Sequence, residues 1–444
     1  MTKIALPKDF VSRVQNDVFL GQDLLDALET EQPIAIRFNS SKNKQLFTET
    51  TAIPWSKNGV YLTERPSFTL DPLFHAGCYY PQEAGSQFLD TILRQIELPL
   101  HPVILDLCAA PGGKSTLIAD YLNGRGLLVA NEVIQNRSKI LKENLVKWGA
   151  TNTLVSNNDP AQFVGLTSVF DCIVVDAPCS GEGMFRKDHQ ARNEWSENNV
   201  ELCVGRQRRI VMDVWDSLKE DGFLIYSTCT FNRQENEDNV QWLLGETGGE
   251  IVQLTINHAK SDREKLGYYC LPHLIDTEGF YFAVIQKKNG KKPKKLKPAK
   301  SLVTPLKDNA FLAPFVTSQQ VSFVQWSDFA FAIPSGFIEL IQLFHSELRL
   351  IKMGTECGEI SRKGLIPNES LALNAEILNQ TIPVHELTKQ DALRYLHGDT
   401  FPLNGPIGFG LVSFEGIPLG WIKNLGNRFN NLYPKEWRIR MRID

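Results

Sequence analysis

The sequence predicts an α/β fold: a doubly wound, mostly parallel sheet, preceded by a small α+β unit and followed by a separate C-terminal region. Three observations point to it. Short apolar runs alternate with helical patterns across residues 96–288. The run Phe170-Asp-Cys-Ile-Val-Val-Asp176 breaks off into Ala-Pro-Cys179, and glycines follow at 181 and 183. A run of that kind reads as a buried parallel strand, and ligands bind beyond the carboxyl ends of such strands. Third, residues 287–300 hold eight lysines and no acid, which separates the strand–helix region from the C-terminal region.

Composition sets the bounds. The 444 residues, 42% hydrophobic and 22% charged, are enough for two to four globular domains. The eight cysteines include no CxxC pair, so a zinc site or disulfide framework is not expected, and reduced thiols in the cytoplasm are the simpler reading. The N-terminus lacks a signal-peptide core, and no apolar run reaches the length of a membrane span. The formal net charge of −4 argues mildly against nucleic acid as a partner, although an average hides local patches.

In chain order, residues 8–30 carry helical spacing (Phe10, Val14, Val18, Leu24, Leu28), and residues 34–38 and 59–62 read as strands. These form the α+β unit, residues 1–95, whose last helix begins near Gln82. Strands are then expected at 103–107, 127–133, 152–156, 170–175, 223–227 and 280–286. Helices are expected at 115–122, 138–148, about 189–219 and from about 235. Asn232-Arg-Gln-Glu235 reads as a capping box for the last of these. Residues 289–300 are a linker, read equally as a solvated tether and as a basic strand touching phosphates. Residues 301–385 form a weakly patterned intermediate domain with short strands and a helix near 336–347. A final unit, 386–444, starts with a helix; its residues 421–444 hold six Lys/Arg against two acids, interleaved with Trp421, Phe429, Tyr433 and Trp437. Alternating basic and aromatic residues suit RNA, or an aromatic core beneath a basic surface strand.

Four motifs carry chemistry. Asp106-Leu-Cys-Ala-Ala-Pro-Gly-Gly-Lys-Ser-Thr116 follows the first strand of the sheet, with Gly112 and Gly113 allowing close ligand approach at a helix N-terminus. It nearly matches a phosphate-binding P-loop, but Cys108 stands where the first glycine should be. Glu132 ends the next strand, where an acid typically holds ribose hydroxyls. Asp176-Ala-Pro-Cys179 and Tyr226-Ser-Thr-Cys229-Thr end two further strands, so two thiols would converge on one sheet edge. Packing accounts easily for one core cysteine and poorly for two so placed. Cys172 lies inside a strand and reads as packing; Cys78, Cys203, Cys270 and Cys357 have no motif role, and Arg206, Arg208 and Arg209 read as a solvated helix face or as phosphate contacts.

Together these segments, with Glu235-Asn-Glu237, Tyr80-Pro-Gln-Glu-Ala-Gly-Ser86, Pro272-His273 and Glu278-Gly-Phe280, resemble the Nop/Sun family of RNA cytosine-C5 methyltransferases over about residues 75–288. The flanks, including Ala52-Ile-Pro-Trp55 and the C-terminal Gly-Trp…Tyr-Pro…Arg pattern, resemble its bacterial RsmF branch, which acts on 16S rRNA and carries a PUA-like RNA-binding module. The resemblance implies a Rossmann-like methyltransferase sheet using S-adenosyl-L-methionine, an N-terminal RNA-binding unit, and RNA, in 16S rRNA or the small ribosomal subunit, as partner. It implies no metal and no membrane; a monomer is expected. Carried over by motif, Cys229 is the nucleophile, Cys179 assists release, Asp176 holds the base edge, and Lys114 orients base or cofactor. The cofactor contacts implied are Cys108, Ala109, Ala110, Pro111, Gly112, Gly113, Lys114, Glu132, Asp159 and Asp176. Transfer RNA is the alternative substrate, and a non-catalytic RNA-binding assembly factor the alternative class.

Overall fold

The computed structural model describes residues 4–42, 46–290, 302–317 and 320–443. The lysine-rich linker lies outside these from position 291 on. The chain opens with two helices, α1 (Lys8–Gln15) and α2 (Gly21–Ala27), then strands β1 (Ile34–Phe38), β2 (Thr50–Ala52) and β3 (Gly59–Leu62), a short helix α3 (Pro72–His75), and β4 (Tyr79–Pro81). The four strands pair antiparallel in the order β2-β3-β1-β4. The helix expected from Gln82 begins only at Phe88: α4 spans Phe88–Gln95 behind a 3-10 turn at Gly85–Gln87.

The large sheet follows as β5 (Val103–Asp106), α5 (Gly113–Leu122), β6 (Leu127–Asn131), α6 (Gln135–Trp148), β7 (Thr153–Ser156) and β8 (Phe170–Asp176). Then come α7 (Ala191–Glu194), α8 (Glu197–Trp215), β9 (Leu218–Thr228), α9 (Glu237–Thr247), two short strands β10 (Glu250–Ile251) and β11 (Lys260–Ser261), β12 (Tyr268–Cys270) and β13 (Phe280–Gln286). The expected helix at 189–219 is two helices, broken at Trp195, where ψ is 135°, and Ser196 caps the second through a hydrogen bond from Asn199 N. Strands β7, β6, β5, β8 and β9 run parallel, and β13 closes antiparallel on β9. Every residue of β5, β6 and β7 is buried, as helices on both faces of a parallel sheet require. The connections leave β5 toward β6 on one side and return to β8 on the other, so the strand order switches between β5 and β8. That switch is where a ligand crevice opens.

The remainder comprises β14 (Thr304–Pro305), β15 (Val321–Trp326), β16 (Phe329–Pro334), α10 (Ile338–Glu347), β17 (Leu350–Met353), β18 (Thr355–Ser361), β19 (Gly364–Pro367) and α11 (Glu369–Ala372). The C-terminal unit is β20 (Val384–Glu386), α12 (Lys389–His397), β21 (Gly408–Phe414), β22 (Ile417–Asn424) and β23 (Phe429–Asn431). Strand β17 does not join the sheet formed by β14, β15, β16, β18 and β19; it pairs antiparallel with β7 and extends the large sheet.

Apolar packing crosses the sequence units. Helices α1 and α2 sit in the same core as one face of the large sheet, with Phe10 edge-on to Phe185 at 5.0 Å and to Trp195 at 5.9 Å. The N-terminal strands share their core with the C-terminal unit, where Ile36, Tyr79, Tyr395, Val412 and Tyr433 are all buried together. Among the described residues no helix is long and apolar enough to cross a membrane.

Candidate active site

The crevice at the switch point is a cavity of about 660 Å³, within the range of small-molecule sites. Its first wall is the loop between β5 and α5. Asp106 at the end of β5 is fully buried and accepts a hydrogen bond from Ser115 Oγ at 2.6 Å; burial pushes its carboxyl up to about 7. Gly112, at φ +119°, caps α5 in a conformation that side chains rarely adopt. The loop is braced from α6: Arg137 Nη2 donates to Ala110 O and Asn144 Nδ2 to Pro111 O, each at 2.8 Å. The helix N-terminus it leads into leaves unpaired backbone N–H groups suited to a carboxylate or other anion.

The second wall follows β6. Glu132 is buried, accepts from Ile134 N at 2.8 Å and lies 3.7 Å from Arg137. Val133 and Ile134 are half exposed, and both line the cavity. Neither carried a role in the sequence, Val133 reading as the end of a strand; the signal was an apolar pair directly after the acid. Asp159 caps the 3-10 turn at Pro160–Phe163 and pairs with Arg209 at 3.2 Å. Asn131 holds this wall together, donating to Leu107 O and Asn158 O while Asn158 N donates to its Oδ1. Arg209 is therefore a lining residue, Arg208 is spent on Asn239 and Trp242, and Arg206 stands at the rim.

The catalytic candidates meet at the third wall. The sulfurs of Cys179 and Cys229 lie 3.2 Å apart, and both residues are partly buried. The hydrogen bond to Cys229, reinforced by burial, pushes the Cys179 thiol well above its ordinary range. Asp176 Oδ2 lies 2.8 Å from Lys114 Nζ, and its Oδ1 accepts from Ser227 Oγ at 3.0 Å. Burial works to lower the Lys114 ammonium, but the Asp176 carboxylate outweighs it and holds that ammonium above its usual value. Lys114 also lies over the Phe280 ring at 4.9 Å. Burial raises the Cys108 thiol, which makes it an inert lining group. A second pocket of about 180 Å³ adjoins through Cys108, Ala110 and Asp176, and adds Lys114, Tyr80, Gln82, Glu83 and Ser86.

The two thiol loops are locked to each other. Gly183 N donates to Cys229 O at 2.8 Å, and a Cβ at Gly183 would lie 3.0 Å from that oxygen and 2.8 Å from Gly279 O. Glu182, fully buried, accepts from Phe231 N, Trp195 Nε1 and Arg13 Nη2. The capping box expected at 232–235 does not form: the N-cap of α9 is Asn236, without a side-chain cap bond, and Glu235 turns inward to Ser180. The discounted cysteines Cys78, Cys172, Cys203, Cys270 and Cys357 are all buried. No group of three or more metal-ligating side chains occurs among the described residues.

The crevice fits S-adenosyl-L-methionine: Glu132 offers acceptors to ribose hydroxyls, Val133 and Ile134 an apolar face to a purine, and the second pocket a polar cleft for an amino-acid end. Comparison with known proteins agrees. Residues 95–286 match the model for the 16S rRNA methyltransferase RsmB/F family, residues 6–84 that for the N-terminal domain of 16S rRNA methyltransferase RsmF, and residues 382–439 that for the RsmF PUA domain. The chain is 31% identical to ribosomal RNA small subunit methyltransferase F of Shewanella loihica, over 86% of this chain and 83% of that one. It is 30% identical to its counterpart in Vibrio atlanticus, over 98% of both. A crystal structure of a methyltransferase homolog protein from Pyrococcus horikoshii is similar with a TM-score of 0.56 at 27% identity, over 64% of this chain and 96% of that one. With these likenesses running from the N-terminal helices to the last strand, the chain belongs to the RsmB/F family of 16S rRNA methyltransferases.

Proposed function

We propose that this chain forms 5-methylcytosine in 16S rRNA, through a transient bond between Cys229 and C6 of the target base. The chain is an S-adenosyl-L-methionine-dependent methyltransferase. The observation that carries the finer reading is the 3.2 Å approach of two thiols beside the Lys114–Asp176 pair.

S-adenosyl-L-methionine supplies an electrophilic methyl group. Cytosine C5 is too electron-poor to take it unaided, so a nucleophile must first add to C6. Cys229, whose sulfur lies 3.2 Å from that of Cys179, attacks C6 as a thiolate after giving its proton to solvent. As the Cys229–C6 bond forms, C5 becomes enamine-like and accepts the methyl group. Cys179 then relays the C5 proton, passing its own thiol proton to solvent as it takes the one from C5; the C5–C6 double bond re-forms and Cys229 departs as thiolate. Asp176 accepts from the N4 edge of the base, since a carboxylate retains lone pairs beyond those given to Lys114 and Ser227. Lys114 holds Asp176 in place. Cys108, Ala109, Ala110, Pro111, Gly112 and Gly113 cradle the methyl donor with Glu132 and Asp159.

Around this centre we assign residues 1–95 and 386–444 to gripping RNA, 96–288 to catalysis and 301–385 to an intermediate domain, in a monomer acting in the cytoplasm. Bisulfite sequencing of rRNA from a deletion strain should show a 16S cytosine losing its methyl group, regained with the wild-type gene. In vitro, Cys229→Ser should abolish tritium release from C5-labelled cytosine, whereas Cys179→Ala should accumulate a covalent protein–RNA adduct. Full activity in Cys229→Ser, or an adduct trapped by Cys229→Ala, would overturn the assignment of roles.

A further inference from the structure

Glu235 has no job in the chemistry above, yet it is fully buried and has no cationic partner among the described residues. A carboxyl so placed is costly unless hydrogen bonds compensate it. It accepts from Ser180 N at 2.9 Å and from Gln207 Nε2 at 2.8 Å, and it makes a very short contact with Ser180 Oγ. Gln207, on α8, donates through the same nitrogen to Pro178 O at 3.0 Å. The peptide groups on both sides of Cys179 are therefore gripped by one side-chain pair. Ser180 Oγ also lies 2.9 Å from Thr230 Oγ1, which ties the residue after Cys179 to the residue after Cys229. Gln207 is itself fixed, its Oε1 accepting from Asn239 Nδ2 at 2.7 Å.

We propose that Glu235, acting with Gln207, is the positioning residue that holds the Cys179 thiol against Cys229 and so governs product release rather than attack. This rests on the two-thiol reading. Cys229 has its own anchors, Gly183 N on its carbonyl and the Thr228–Asn236 hydrogen bond before it. Loss of Glu235 therefore loosens the Cys179 loop selectively. Burial pushes Glu235 up to about 7, so its charge changes in the working range. The groups facing it are Glu182 from the turn after Gly181, Cys179 from its own loop, Cys203 from α8 and Tyr226 from β9. Arg208 on α8 is engaged by Asn239.

The test uses the full chain and four readouts: S-adenosyl-L-methionine affinity by calorimetry, covalent capture on 5-fluorocytidine RNA, turnover on ordinary RNA, and the pH profile of turnover. Capture on 5-fluorocytidine needs attack and methyl transfer but no C5 proton removal. For Glu235→Gln, donor affinity and capture rate stay within about threefold of wild type while turnover falls about 30- to 100-fold, the usual scale for a misplaced group. Adduct on ordinary RNA accumulates, and the limb of the pH profile near neutrality disappears. Glu235→Asp recovers part of the turnover. If Glu235→Gln does not fold, Gln207→Leu must show the same split. Wild-type turnover and pH profile in Glu235→Gln, or equal losses in capture and turnover, would overturn the proposal. Failure of the two-thiol reading shows separately, as a Cys179→Ala protein that releases product normally.

Discussion

Lys114 shows how much the site depends on single contacts. It is the second residue of α5, its ammonium reaches Asp176 across the crevice, and both side chains are partly screened from water. An ion pair of this kind matters less for stability than for aim: it fixes the carboxylate proposed to meet the base. Lys114→Met should lower turnover about 100-fold with little change in melting temperature; steady-state kinetics beside a thermal melt would check this, and an unchanged kcat would refute it. The motif residues from 106 to 114, Glu132, Asp176 and the two thiols were legible because strand-end chemistry is local. Glu235 was misread for the same reason. Its local neighbours spell a helix cap, but its carboxyl reaches Ser180, which lies 55 residues earlier in the chain.

Among elements, β17 is one that no sequence pattern announced. Its four residues look like any short apolar run, and what defines them is their partner β7. The consequence reaches the crevice wall at Asp159. Asn157 N donates to Arg349 O, and Arg349 N to Asn158 Oδ1, both at 3.0 Å. Asn158 also donates to Gln162 Oε1 at 2.9 Å, inside the turn that Asp159 caps. Asn158→Ala removes both side-chain bonds, a cost of about 0.5–1.5 kcal/mol each. We expect about tenfold weaker S-adenosyl-L-methionine binding by calorimetry, on the same scale of loss; undiminished affinity would show that Asp159 does not depend on this brace. Strand ends were predicted to within a few residues, whereas the split at Trp195 and the late start of α4 escaped notice because helical periodicity does not record a cap.

For the molecule as a whole, the units read off the sequence are not the units of packing. The N-terminal helices complete one face of the catalytic core, and the N-terminal strands share a core with the C-terminal unit. Glu369 lies at this junction, buried, with neither carboxyl oxygen hydrogen-bonded among the described residues. Burial pushes it up to about 8. The folded state thus holds a proton that the unfolded chain releases near pH 4.5, and stability is fully present below that pH and lost as pH rises through 8. Glu369→Gln should remove this slope, leaving the variant more stable than wild type above pH 8 by on the order of 2 kcal/mol. Melting curves from pH 5 to about 9, spanning both ends of this linkage, would settle it; parallel curves for the two proteins would count against it.

The pairing of β17 with β7 has a further consequence, in time rather than in space. Lys352 bonds Thr153 Oγ1 across 199 residues of sequence. At roughly 5–20 residues per second, synthesis leaves the outer side of β7 uncovered for on the order of 10–40 s. During that interval the nascent chain carries a naked strand margin, backbone donors and acceptors facing outward beside buried-type residues Leu154 and Val155. Such a margin recruits strands from other chains. The C-terminal half is therefore the chain's own cover for the β7 margin of its large sheet, delivered last.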